Sequence, residues 1–342
     1  MKIRNLLILL TFLVATSVLI CIYTNDRSSF QTIIAETHKQ LANLKHLQVN
    51  LKQHEQRELI TEEKYLIALG FVSQPNLYKE DEKRDFSLPV LVTAVSPGQF
   101  QQAIEFVKAS HHFLPDYPVL IYTLNLERNE LNMLNRSCNS STCIVRRFDL
   151  EFYPKHVSDI SVSAHRPLII QHSLNQMGAI LWLDITYRIN SNNIYSVVQC
   201  AKQNGVASWP SNKPTSSLTH PGMFEFFHTQ QENFYFHRMV DLSHIIIYNT
   251  PKIHKDLMLP WVKCTLIAEC IAPIGAQSGG CRFDKRPLYR YSGCHHYDES
   301  ALNVALGVMF HYDAFLYLVT DNLFRSVEQE NVTNYIDSEH YT

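Results

Sequence analysis

The sequence predicts an α/β domain built on a mostly parallel sheet with helices on both faces. Two observations predict it. Four short runs read as strands: "LPVLVTAVS" (88–96), buried by its β-branched run, "YPVLIYTLN" (117–125), also buried, "CIVRRFDL" (143–150) and "AILWLDI" (179–185). Helix-forming stretches separate them, and a strand–helix–strand–helix order at this spacing brings the strands together in parallel.

The elements follow in order. "PGQFQQAIEFVKASHHF" after the first strand is an amphipathic helix, with Phe100, Ile104, Phe106 and Val107 as its apolar stripe. "ERNELNMLN" is a short helix. "PLIIQHSLNQMG" (167–178) is a helix that ends at Gly178, a residue suited to the left-handed position after a helix. "VASWP" and "SHIIIYNT" (243–250) are further strands, and "DLMLPWVKCTLIAECI" is helical. "DESALNVALGVMFHYD" (298–313) is a helix with Ala301, Leu302, Ala305, Leu306 and Met309 on one face. Trp182, Trp209 and Trp261 read as core.

Ahead of this domain stand two other kinds of sequence. Lys2 and Arg4 precede an uncharged run, Leu6 to Tyr23, of about 18 residues, enough to span a thin bilayer. Its basic end predicts a cytoplasmic tail (1–5), an uncleaved signal anchor (6–23) and a luminal C-terminal bulk. Residues 24–87 read as a stem rich in helix formers; Ile34, Leu41, Leu44 and Leu51 keep heptad-compatible spacing, so a homodimer through the stem is one expectation and a spacer helix the other. The domain proper is expected over 88–320, with a C-terminal tail over 321–342.

Composition narrows the function. The net charge is −2, and only 10 of 342 residues are glycine. No long basic block suggests a phosphate-tracking surface for nucleic acid, and no GxGxxG or GxxxxGK[ST] occurs. Cysteines agree with an oxidising lumen. Cys138 and Cys143 are close enough to close a small loop, and Cys264, Cys270, Cys281 and Cys294 supply two more bridges. Asn135, Asn139 and Asn331 begin glycosylation sequons.

Three clusters carry chemistry. The first is Asp184, an acid at the carboxyl end of a buried strand, where open α/β sheets bind ligands. It is placed to bind a hydroxyl-rich ligand or, with Thr186, a divalent cation; a turn aspartate is the plain alternative. The second is "GGCRFDKRPLYRYSGCHHYDESALN" (279–303). Arg282, Lys285 and Arg286 suit neutralisation of a diphosphate, Asp298 or Glu299 a general base toward an acceptor hydroxyl, and His295 or His296 a phosphate contact or a cation ligand. A helix cap at Asp298 and structural histidines are the competing readings. The third is "THPGMFEFFHT" (219–229), where His220 and Glu225 with the aromatic residues suit a sugar-binding wall or a turn packed by core rings.

These motifs carry a resemblance. "LPVLVTAVS" resembles the first strand of the GT-A fold of nucleotide-diphospho-sugar glycosyltransferases, "PLIIQHSLNQMGAILWLDITYRI" the segment leading to that fold's metal-binding acid, and "CHHYDESALN" the acidic element opening its last helix. Over roughly 88–315 the chain is also similar to a nematode-expanded invertebrate family of uncharacterised type II membrane proteins, through "WLD", "HPGM", "CIAPIGA" and "CHHYDESALN". The resemblance implies a GT-A-like, Rossmann-like domain and a luminal, hexosyltransferase-like enzyme of the Golgi or ER membrane. It would use a nucleotide-sugar donor, a glycan or glycoprotein acceptor and Mn²⁺ or Mg²⁺ at Asp184, with His296 as the second candidate metal ligand from the residues themselves. Thr186 stands where that fold commonly has a second acid, which puts the metal in question. A non-catalytic glycan-binding or adhesion module is the alternative.

Overall fold

The computed structural model describes residues 14–16, 60–72, 75–78, 88–138, 141–284 and 286–328. The chain divides into two units, Met1–Arg57 and Glu58–Thr342, and the elements below belong to the second. The expected anchor lies outside the described residues except for 14–16, as does most of the stem; among the described residues no helix is long and apolar enough to cross a membrane.

Six strands form the central sheet: β1 (Val90–Val95), β2 (Val119–Thr123), β3 (Cys143–Arg147), β4 (Ala179–Leu183), β6 (Val206–Pro214) and β7 (Arg238–Tyr248). Their order is β3-β2-β1-β4-β7-β6. The first four pair in parallel, while β7 is antiparallel to both β4 and β6, so β7 alone runs against the rest. The first four expected strands therefore stand side by side and fill two thirds of the sheet. The β4–β7 register sets Leu183 opposite His244, which brings the start of β7 to the carboxyl edge of the parallel strands.

Side-chain alternation along each strand feeds two cores. One face buries Val92, Leu120, Ile180 and Trp182 against α4 (His165–Met177), α7 (Leu259–Leu266) and α9 (Tyr297–Met309). The other buries Leu91, Ile121, Leu181 and Ile246 against α2 (Phe100–Phe113) and α5 (Tyr195–Asn204). The expected helices on both faces are present. Each fully buried aliphatic side chain here contributes roughly 1.5–3 kcal/mol. Gly178, at φ +78°, ends α4 and lets the chain reverse directly into β4.

Several boundaries differ from expectation. The α2 face that is buried is Ala103, Phe106, Val107 and Ser110; Phe100 and Ile104 sit at its margin. The compact unit begins well before 88: α1 (Glu63–Ala68) and the turn after it bury Tyr65 and Leu69, and Gln171 Nε2 donates to the Leu69 carbonyl at 2.8 Å. The expected tail contributes β8 (Phe324–Ser326), which pairs antiparallel with β5 (Tyr187–Ile189) in a second small sheet. Three disulfides, Cys138–Cys143, Cys264–Cys270 and Cys281–Cys294, use the six candidate cysteines, and Cys200 is a free thiol.

Candidate functional site

The carboxyl edge of the parallel strands collects the site. α4 runs back along the sheet before β4, so its first turn, with His165 and Arg166, lies at this edge. α9 also starts here, because the Arg166 guanidinium grips Asp298 at both oxygens: Nε to Oδ2 at 2.7 Å and Nη2 to Oδ1 at 2.9 Å. Such a bidentate pair is both strong and directional. Asp298 is 1% exposed and Arg166 17%. The Asp298 carbonyl accepts from Trp261 Nε1 at 2.9 Å, which ties the start of α9 to α7.

Asp184 follows β4 directly. Its backbone N–H donates to the Ser243 carbonyl at 2.7 Å, continuing the pairing with β7. Its Oδ1 accepts from the Thr186 N–H at 3.0 Å and from Thr186 Oγ1 at 2.8 Å. This is an Asp-initiated turn, and it explains the threonine: the hydroxyl orients the acid. Asp184 Oδ2 remains 3.8 Å from Arg166 Nη1. Asp184, at 26% exposure, is the most open of the three.

Glu299 and Asp241 extend the acidic surroundings. Glu299 Oε1 meets His296 Nδ1 at 3.3 Å, and Asp241 Oδ1 accepts from the Ser243 N–H at 2.8 Å. Burial alone would lower His296, but Glu299, Asp298 and Asp241 together hold it above its ordinary value. Burial pushes the Asp298 carboxyl up to about 6 against the opposing pull of Arg166. Burial also works to lower Arg166, yet Asp298, Asp184 and Glu299 raise it and keep it charged. Burial raises the nearby Tyr187 phenol, helped first by Asp241.

The sequence-predicted residues separate into groups. Asp184, Thr186, Asp298, Glu299 and His296 gather at or beside this edge. Asp298 is not disposed as a base, since its carboxylate is buried and both oxygens are taken by Arg166. His295 is fully buried; its Nδ1 accepts from the His220 N–H at 3.1 Å and its Nε2 faces the Ile271 carbonyl at 3.0 Å. Both ring nitrogens are thus used within the protein, and burial lowers its pKa to about 3, so it is a packing residue rather than a ligand contact. His220 caps α6 (Pro221–Phe226) through Nδ1 to the Gly222 N–H. Glu225 is exposed, while Met223 and Phe224 are core. Arg282 and Arg286 are exposed on the 279–294 loop, and Arg282 pairs loosely with Asp284 at 3.8 Å. Lys285 lies outside the described residues, as do Asn139 and Asn331. Asn135 is exposed, on α3 (Arg128–Ser137).

A divalent metal does not fit the side chains present. Among the described residues no three His, Cys, Asp or Glu side chains converge on a point. His296 turns to Glu299 rather than to Asp184, and the charge facing Asp184 Oδ2 is a guanidinium, which would repel a cation.

Arg166 and Asp241 are the members that reading the sequence missed. The helix was expected to begin at Pro167, which left Arg166 outside it. A cation in the first turn of a helix opposes the macrodipole, and that mismatch was the available signal that Arg166 has an acidic partner elsewhere.

Residues 50–171 match the model of a family described as a protein of unknown function (DUF1647). No curated protein matches the chain. Solved structures similar to it include glycosyltransferases. The galactosyltransferase LgtC, in complex with donor and acceptor sugar analogues, is 10% identical with a TM-score of 0.39, over 69% of this chain and 86% of that one. Mouse xyloside xylosyltransferase 1, in its apo form, is 9% identical with a TM-score of 0.36, over 68% and 84%. The bifunctional glycosyltransferase WbbM is 10% identical with a TM-score of 0.36, over 52% of this chain; the chain spans 35% of WbbM's length.

Proposed function

We propose that this chain is a glycosyltransferase that moves a sugar from a nucleotide-sugar to a hydroxyl of a glycan or glycoprotein, in the lumen of the Golgi or ER. One observation carries the reading: an accessible acid, Asp184, stands directly after a central parallel strand, at the edge where such sheets bind ligands, with Arg166 3.8 Å away and the His296–Glu299 pair at the start of α9. Carboxylates and a guanidinium at one edge are suited to a polyhydroxylated ligand, because each sugar hydroxyl both donates and accepts. The resemblance of "WLDITYRI" and "CHHYDESALN" to GT-A motifs supports the same reading. Three disulfides suit an oxidising compartment, and the apolar run 6–23 suits a single-pass type II anchor.

In this reading Asp184 holds the donor's hydroxyls, and Asp298 is a positioning residue that fixes Arg166. Glu299 is the remaining carboxylate for proton transfer. Transfer or hydrolysis of nucleotide-sugars, measured across a donor panel with the wild-type chain and Asp184→Asn, tests it. Turnover that Asp184→Asn lowers by about a hundredfold is expected, the scale of losing a positioned charged contact. No turnover of any donor by the wild type sinks it.

One observation favours a second reading, a non-catalytic glycan-binding module: Asp298 and Glu299 both have their oxygens engaged within the protein. Glycan binding with no turnover would select it.

A further inference from the structure

The resemblance to metal-dependent transferases and the side chains at Asp184 disagree, and the disagreement has content. We infer that the positive charge at this site is supplied by Arg166, and that the chain binds a nucleoside diphosphate without a divalent metal. The inference deepens the glycosyl-transfer reading and rests on it.

Arg166 has the placement a resident cation would need. It lies between Asp184 and Asp298, with Nη1 3.8 Å from one and Nε and Nη2 on the other. Asp298 fixes the fork and leaves the Nη1 protons for a ligand. Thr186 completes the pattern. A second acid there would add a metal ligand, whereas the threonine donates to Asp184 Oδ1 and so occupies the oxygen nearest that position. Arg166 also stands in the first turn of a 13-residue helix whose N-cap, Ala164, offers no side-chain hydrogen bond. The positive dipole end of α4 therefore reaches the same edge, but its first-turn amides do not: the Arg166 N–H donates to the Ser163 carbonyl at 3.0 Å and Pro167 has no N–H. His165 beside Arg166 is 6% exposed with no hydrogen-bond partner for Nδ1. A guanidinium fork held by a carboxylate on one side and open at Nη1 suits a phosphate oxygen.

The test is binding by the full chain of UDP and GDP, read as a thermal shift in EDTA and again in Mn²⁺, since a ligand of the native state raises apparent stability. A shift from either nucleotide of equal size in both buffers is expected. A shift that appears only with Mn²⁺ overturns the inference and leaves the glycosyl-transfer reading standing. No shift from either nucleotide in either buffer removes both. Arg166→Ala alone risks misfolding, because it strands a buried carboxylate. The paired variant Arg166→Met with Asp298→Leu removes both charges together. With a cooperative melt retained, it should bind the nucleotide at least tenfold more weakly in EDTA; wild-type binding by that variant overturns the assignment.

Discussion

Two regions of this chain concentrate charge, and they differ in what holds it. At the sheet edge Arg166, Asp184 and Asp298 are tied together, with Asp298 1% exposed. On the 279–294 loop the charges point outward: Arg282 is 64% exposed and only loosely paired. That loop is organised by other forces, namely the Cys281–Cys294 disulfide, Tyr289 stacked on Tyr235 at 4.3 Å and Lys213 over the Phe283 ring at 4.1 Å. The loop is the denser of the two in sequence, yet the sheet edge is the better built. Charges that a fold orients need desolvation and fixed partners, and sequence density supplies neither.

The comparison can be broken or sharpened by measurement. Arg166→Ala should have the largest effect, a loss of about 3–5 kcal/mol in urea denaturation, because Asp298 is left buried and unpaired. Replacing both partners by apolar residues should recover most of it, and a double variant as unstable as the single one would refute the ion-pair account. Breaking Cys281–Cys294 by Cys281→Ser with Cys294→Ser should cost about 3 kcal/mol through the freed loop. A melting temperature unchanged by reduction would contradict that.

Acid should weaken the fold next. Burial holds His295 and His165 at about 3, and His237 and His244 at about 4, against an ordinary value near 6.5. The unfolded chain binds protons below pH ~6.5 that these rings refuse when folded. Their contribution is whole above pH ~6.5 and is lost as pH falls toward 4, up to about 2 kcal/mol per ring by pH 5. His296, held above its ordinary value, acts in the opposite sense and offsets part of this. Urea midpoints at pH 7 and pH 5 read the balance, and a midpoint higher at pH 5 would exclude it.

Thr186→Val should cost about 1 kcal/mol, the Oγ1 bond to Asp184 being partly open to water. It should also weaken any ligand held by Asp184, by releasing that carboxylate's orientation. Arg282→Ala should be smallest, within about 0.5 kcal/mol of wild type. If it nevertheless abolishes nucleotide binding, the loop rather than Arg166 faces the diphosphate.

The legible part of this protein is what short-range pattern encodes. The strands at 90–95, 119–123 and 179–183 were visible because a strand buried on both faces must be continuously apolar, whereas the strand at 143–147 is a half-exposed edge strand that ends in Arg146 and Arg147. Gly178 marked the end of α4 because few other residues take that backbone conformation. Asp184 stood out as the first charge after such a strand. The Cys138–Cys143 loop was visible in its spacing, while the fold supplied the pairing of the other four cysteines as Cys264–Cys270 and Cys281–Cys294.

What only the tertiary structure decided are the relations that sequence distance hides. β5 and β8 are three residues each and pair across Tyr187 and Ser326, a contact no local pattern announces. β7 reads as a strand, but its antiparallel place beside β4 follows from how the chain returns to the sheet. Arg166 and Asp298 are 132 residues apart, and neither signals the other. The sequence by itself determined which segments must be buried and where an acid would follow a buried strand, because burial is set by each segment's own composition. Which cation stands beside that acid depended on two helix starts arriving at one edge, and that is a property of packing alone.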